Sequence, residues 1–255
     1  AHNKITEYDE PEAMKGTYRA RTGKPVGQLF GLVAERLFEE SDFDENGKLK
    51  EGIPTQKFSA ESSLGPGDIK YVDQNGDGEI TAIDQTAIGG TIDPQIVYGF
   101  GATLRYKQFD FGCFFSGVGK QYRILGGETW LPASSIGAGN IWSNIDDRWT
   151  KSNPKQDVFW PRMNELTIDN NKQASTWWLK NMSFLRLKNV ELGYTLPRHW
   201  SEKIAMKDCR IFLRGSNLLT FSSFKMWDPE VGTTDGLKYP MMKAVSVGIT
   251  FNFNN

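Results

Sequence analysis

The chain has 255 residues, enough for one large domain or two small ones, and its 30 basic and 31 acidic residues leave it near neutral, which offers no support for a nucleic-acid partner. Its 26 Gly, 16 Phe, 8 Tyr and 8 Trp suit an all-β protein with long polar loops. No run of about 18 apolar residues is present, which excludes a helical membrane protein but not a β-barrel, whose strands need only about 9–11 alternating residues.

The polar start, Ala1-His2-Asn3-Lys4, is no signal peptide, so either a signal has been removed or the chain is the later part of something longer. Cys113 and Cys209 each fall in alternating segments, which fits buried or lipid-facing thiols better than a disulfide. With no Cys-x-x-Cys pair, and with His2 and His199 far apart, a transition-metal site is not expected.

Residues 1–26 are polar without sustained periodicity, and residues 27–38 read as a strand leading into a short helix. Asp42-Phe-Asp-Glu-Asn-Gly-Lys48 begins like a calcium loop but has Ile53 at position 12, so a plain turn is the better reading. Residues 54–67 form a Pro/Ser/Gly linker. Then Asp73, Asn75, Asp77 and Asp84 fall at positions 1, 3, 5 and 12 of a calcium loop. Gly78 stands at position 6, where the chain turns sharply, and Glu79 at position 7, which ligates through its backbone carbonyl. Position 12 is Asp rather than Glu, and no long helix precedes the loop. A structural Ca2+ site at 73–84 is expected, with an ion-free Asn/Asp/Gly turn cluster as the alternative.

After Pro94 the pattern becomes period 2. Tyr98, Phe100, Ala102, Leu104 and Tyr106 alternate with small or polar residues, and a tight turn at Lys107-Gln108 leads to Phe109, Phe111, Cys113 and Phe115 on one face. Five strands are expected, at 97–107, 108–120, 183–196, 209–221 and 244–253, the phase of the third flipping near Asn189 as at a bulge. The last is the cleanest, with Val245, Val247, Ile249, Phe251 and Phe253 against Ala244, Ser246, Gly248, Thr250 and Asn252. Short connections near 108 and 197–208 alternate with long ones, 121–182 and 222–243. Short turns on one side, long loops on the other and apolar-out, polar-in alternation are the habit of outer-membrane barrels. Tyr98, Tyr106, Phe109, Tyr194 and Phe253 suit an interfacial girdle. A soluble β-sandwich also alternates, so the strands taken singly leave both open.

The motifs narrow this. Pro66-Gly-Asp-Ile-Lys-Tyr71 runs into Asp73-x-Asn75-Gly-Asp77-Gly-x-Ile80, then Asp84, Ile88-Gly89, Pro94 and Tyr98-Gly-Phe100. Asp147-Arg-Trp-Thr-x-x-Asn-Pro154, Trp160-Pro-Arg162, Leu185-Arg-Leu-Lys-Asn-Val-x-Leu-Gly-Tyr-x-Leu-Pro197, Gly215-x-Asn-Leu-Leu-Thr220 and Asp228-Pro-Glu230 follow in order. Together, over roughly residues 22–253, the chain resembles the SusC/RagA family of TonB-dependent outer-membrane transporters of Bacteroidetes. The ending Asn254-Asn255 departs from the family's usual terminal aromatic.

The resemblance implies a barrel of about 22 antiparallel strands, of which this chain holds the C-terminal five, with residues 1–96 an extracellular region. The N-terminal barrel and plug and the segment that meets TonB are expected to come from a preceding part, since five strands with open edges cannot persist in lipid. A SusD-like surface lipoprotein is the implied partner, outer-membrane lipid the surroundings, and an oligosaccharide or peptide the cargo. Trp130, Trp142, Trp149, Trp160 and Trp227 are candidate substrate platforms, since aromatic rings offer flat apolar area; the alternative is that they pack loop against loop. The calcium loop is expected to stiffen an extracellular segment that has no hydrophobic core. The competing reading is a secreted calcium-stabilised β-domain binding carbohydrate. Enzyme activity is not expected, because Asp146 and Asp147 have neither nucleophile nor His base beside them.

Overall fold

The computed structural model describes residues 3–60, 63–127, 141–163, 169–201 and 206–253. In chain order the strands are β1 (Gln28–Gly31), β2 (Ala34–Leu37), β3 (Thr55–Gln56), β4 (Ile69–Tyr71), β5 (Glu79–Ile80), β6 (Thr86–Thr91), β7 (Ile96–Tyr106), β8 (Phe109–Gly119), β9 (Tyr122–Ile124), β10 (Leu179–Asn181), β11 (Phe184–Thr195), β12 (Met206–Ser222) and β13 (Ala244–Phe253). One four-residue helix, α1 (Arg198–Ser201), lies between β11 and β12.

The five long strands form one antiparallel sheet in the order β13-β12-β11-β8-β7. Their pairing turns the alternation in the sequence into two faces. Leu104 is opposite Phe111, Phe111 opposite Leu192, Leu192 opposite Leu213 and Leu213 opposite Val247, so apolar side chains line up across all five strands. That face is open: Leu104 is 65% exposed, Val247 73% and Phe253 65%. An apolar surface this continuous is far beyond the scattered exposed side chains of a soluble monomer. Cys113 and Cys209 both lie on it and are unpaired thiols.

The phase flip in β11 has a local cause. Leu187 faces Phe115 and Leu219, whereas Asn189 faces Phe114 and Ser216, so Lys188 is bulged out of both ladders. Without that extra residue Val190, Leu192 and Tyr194 would turn to the polar side.

A hydrophobic core exists, but away from the sheet. Leu32, Leu37, Ile69, Tyr71, Ile80, Leu125, Trp149, Trp160, Trp178, Met182 and Phe224 form one buried cluster, built from short strands and irregular segments before β7, between β8 and β11, and after β12. The expectation that this region lacks a core and leans on a calcium loop instead is therefore corrected. The expected helix within 27–38 is likewise two short strands, because β1 pairs with β6 and β2 with β4. Residues 42–53 form a plain turn: the Asp44 carboxylate accepts the N–H groups of Asn46 and Lys48, both at 2.9 Å. Asp42 turns inward to a forked pair with Arg36, both bonds 2.7 Å. Leu49 and Ile53 pack on Phe38, Phe43 and Leu64, which gives Ile53 an apolar job where a ligand would stand.

Candidate functional site

The 73–84 loop closes on its own carboxylates. Asp73 accepts the N–H groups of Asn75 at 3.2 Å, Gly76 at 2.7 Å and Gly78 at 2.8 Å. Burial would lift the Asp73 carboxyl, but those N–H groups more than offset it and hold it below the ordinary value. The Asn75 amide donates to Asp77 at 2.8 Å, and Asp77 accepts from the Glu79 N–H at 2.8 Å. Fully buried Asp84 accepts the N–H of Gln74 at 2.9 Å and of Thr81 at 2.8 Å, fastening the beginning of the loop to its end. Gly78 has φ +83°, a left-handed backbone at the sharp turn that suits glycine. Glu79 sends its side chain to Lys57, 2.9 Å away. The oxygen-rich donor set is of the kind a hard cation takes. Among the described residues no three His, Cys, Asp or Glu side chains already converge as a metal cluster, so an ion would have to exchange for some of these hydrogen bonds.

The five candidate tryptophans divide. Trp160 is fully buried, with its indole N–H on Asn144 Oδ1 at 3.3 Å and its ring against Phe159 and Trp178. Trp149 is 9% exposed and lies over Gly67. Gly67 has φ +90°, and a Cβ there would lie 2.3 Å from carbons of the Trp149 ring, so the turn and the ring specify each other. Trp160 is thus a core residue with no ring face to offer a ligand, which corrects its reading as a platform, whereas Trp149 is packed in the core but edges two shallow cavities beside Lys151. Trp142 and Trp227 are half-buried and pack on each other, with ring centres 5.5 Å apart. Trp130 lies outside the described residues.

Beneath the tryptophans sits a polar hub that the sequence reading did not single out. Asp68, fully buried, accepts from Arg162 Nε at 3.0 Å and Nη2 at 2.6 Å, from Asn171 Nδ2 at 2.9 Å and from the Gly65 N–H at 2.9 Å. Asn171 also accepts the Ile69 N–H at 2.9 Å, and its carbonyl accepts the Trp178 indole N–H at 2.7 Å. Two stretches about a hundred residues apart, 65–69 and 162–178, meet there. Asp146, by contrast, is exposed and pairs with neighbouring Arg148 at 3.3 Å.

The other face of the long sheet carries an ionic ladder. Arg210 on β12 donates through Nε to Asp110 on β8 at 2.9 Å and through Nη2 to Glu191 on β11 at 2.6 Å, while Arg214 reaches Glu191 at 2.7 Å. A cavity of about 690 Å³ opens over it, lined by Thr103, Arg105, Glu191 and Arg210 among others. One face apolar and exposed, the other charged and open to a cavity, is what a wall between lipid and an aqueous lumen needs.

No protein-family model matches the chain. It is 29% identical over 250 residues to TonB-dependent receptor P3 of Formosa agariphila, a match covering 91% of this chain and 23% of that protein. It is 23% identical over 268 residues to TonB-dependent receptor SusC of Bacteroides thetaiotaomicron, covering 99% of this chain and 23% of SusC. The fold superposes on the structure of the RagAB peptide importer in its closed-closed state with a TM-score of 0.62 at 23% identity, over 91% of this chain and 23% of that one. The chain thus spans about a quarter of the length of the relatives it matches. No helix among the described residues is long and apolar enough to cross a membrane, which says nothing of strands. In sequence and in fold, the chain is SusC/RagA-like, similar to a portion of the TonB-dependent receptors.

Proposed function

We propose that this chain supplies the C-terminal wall and mouth of an outer-membrane importer that takes up oligomeric nutrients, glycan or peptide, with a SusD-like lipoprotein as its lid. The observation that carries the reading is the two-faced sheet, lipid-ready on one side and ion-paired on the other. A secreted carbohydrate-binding domain accounts for it less well, since such a domain would bury that apolar face. The segments from Gly119 to Phe184 and from Ser222 to Ala244, which share the buried core, then stand at the extracellular mouth. Trp142 and Trp227, and Trp149 at the edge of its cavities, are the remaining described aromatic candidates for meeting cargo. No covalent chemistry is involved; TonB energises release through the plug. The full-length transporter is expected to need detergent for extraction, to migrate differently on gels when heated, and to copurify with a surface lipoprotein. A freely soluble protein overturns the barrel reading, and a tagged transporter that never brings down a lipoprotein overturns the lid.

The 73–84 loop is proposed to hold Ca2+ through Asp73, Asn75, Asp77, the Glu79 carbonyl and Asp84, where the ion supplies rigidity. Asp73→Ala also leaves three N–H groups without their carboxylate acceptor, so the discriminating quantity is the calcium-induced increment in stability. In calorimetry that increment is expected at about 2–3 kcal/mol at saturating Ca2+ and absent in Asp73→Ala and Asp77→Ala. Unfolding of the wild type that is the same with and without calcium rejects the ion.

A further inference from the structure

We propose that the β12–β13 connection is a strap locked across the polar face of the sheet by an ion latch, and so forms a fixed part of the mouth rather than a free loop. Placing it at the mouth rests on the reading above; the latch itself does not. Arg186 on β11 is 1% exposed, and its guanidinium lies over the Phe184 ring of the same strand, 5.6 Å from the ring centre, which leaves its charge to be matched from elsewhere. It donates to Asp228, forty-two residues on, and its Nε lies 3.0 Å from Glu230 Oε2, a contact that is ionic without a directed hydrogen bond. Lys188 grips the same Glu230 through both carboxylate oxygens, at 2.8 and 2.9 Å. Lys188 is the residue bulged from both ladders. The bulge therefore does two things at once: it keeps Leu192 and Tyr194 toward the apolar face, and it frees a second cation for the strap.

The strap is shaped to be gripped. Asp228 caps the Pro229–Val231 turn, accepting the Glu230 N–H at 3.0 Å, which points both acids from one rigid turn toward the two cations. Further along, Thr234 accepts the Gly126 N–H at 3.1 Å, and Trp227 packs on Trp142 and Phe224. A cation sealed at 1% exposure and matched by two acids is anchored, since leaving either side unpaired strands a buried charge. Arg186 and Lys188 are accordingly positioning residues for the strap.

The test is amide hydrogen exchange on the full-length transporter in detergent, which needs no cargo. In Arg186→Met and in Asp228→Asn, exchange of residues 224–237 is expected to rise on the order of a hundredfold, with β11 and β12 core amides unchanged. Arg186→Lys should restore part of the protection, because it returns the charge without the fork. The double variant Arg186→Met/Asp228→Asn should be no worse than the worse single one. If Arg186→Met fails to fold, Lys188→Met, at the more exposed second contact, is expected to raise strap exchange roughly twofold or more. Strap exchange within about twofold of wild type in Asp228→Asn overturns the latch, as does a rise spread evenly over β11, β12 and β13. A failed lipoprotein pull-down would leave these outcomes untouched, so the two readings fail separately.

Discussion

Arg162→Ala is expected to destabilise the region before β7 and between β8 and β11 by about 3–5 kcal/mol, the range for removing one partner of a buried ion pair. Asp68 is fully buried, and Arg162 supplies it with a two-pronged pair at 3.0 and 2.6 Å while its Nη2 also holds the Ser63 carbonyl at 2.7 Å. Without the guanidinium, Asp68 keeps only the Asn171 amide and the Gly65 N–H. Burial already pushes the Asp68 carboxyl above its ordinary value, with Arg162 the strongest opposing influence, so the variant pushes it higher. The sign follows from proton counting: a folded state that binds its proton more tightly than the unfolded chain loses stability as pH rises between the ordinary and the raised value. The defect in Arg162→Ala is therefore expected to deepen from acid to neutral pH. Hydrogen exchange of residues 63–71 and 169–178 measures it. Exchange equal to wild type at neutral pH would mean the hub is held by its neutral hydrogen bonds alone.

Asp68 and Arg162 also mark the boundary of what could be read from the chain by itself. The long strands were legible because one physical fact, apolar contact on one side and water on the other, repeats every second residue. Ala244–Phe253 shows it without exception, and even the bulge at Lys188 announced itself as a phase flip two residues from where Val190 resumes the apolar face. The Lys107-Gln108 turn was visible as a break between two alternating runs, and Lys107 takes it with φ +54°. No such repeat exists in the hub. Asp68 and Arg162 are 94 residues apart, and Ala34 and Thr176, joined at 2.9 Å, are 142 apart. Segments that each contribute two or three residues to a shared core have no period of their own. For the same reason residues 27–38 read as strand and helix: β1 and β2 answer to different partners. The ordered motifs around Pro66, Trp160 and Asp228 were conspicuous, but their spacing did not say that Trp160-Pro-Arg162 closes on Asp68, or that Asp228-Pro-Glu230 closes on Arg186.

The tryptophans give the sharpest division between holding the fold and meeting cargo. Trp160→Ala is expected to cost about 3–5 kcal/mol, the range for deleting a large aromatic from a packed core. Its ring is fully buried between Phe159 and Trp178, its indole N–H is satisfied by Asn144, and its backbone pairs with Trp149 and Asp147. Trp142 and Trp227 bury only part of their rings at the edge of the core, 5.5 Å apart, with Trp227 also edge-on to Phe224 at 4.8 Å, so each ring pair lost in an Ala variant should cost about 0.5–1.5 kcal/mol beyond lost area. The two classes should then separate in cells. Trp160→Ala should lower the amount of folded transporter in the outer membrane, and with it uptake of every cargo in proportion. Trp142→Ala and Trp227→Ala should leave the amount near wild type, so any loss of uptake per molecule reports on cargo contact. Quantifying surface protein beside uptake separates them. A Trp160→Ala transporter present at the wild-type level with melting unchanged would show that the core tolerates the cavity. Normal uptake per molecule in the Trp142→Ala/Trp227→Ala double variant would confine both rings to bracing the strap.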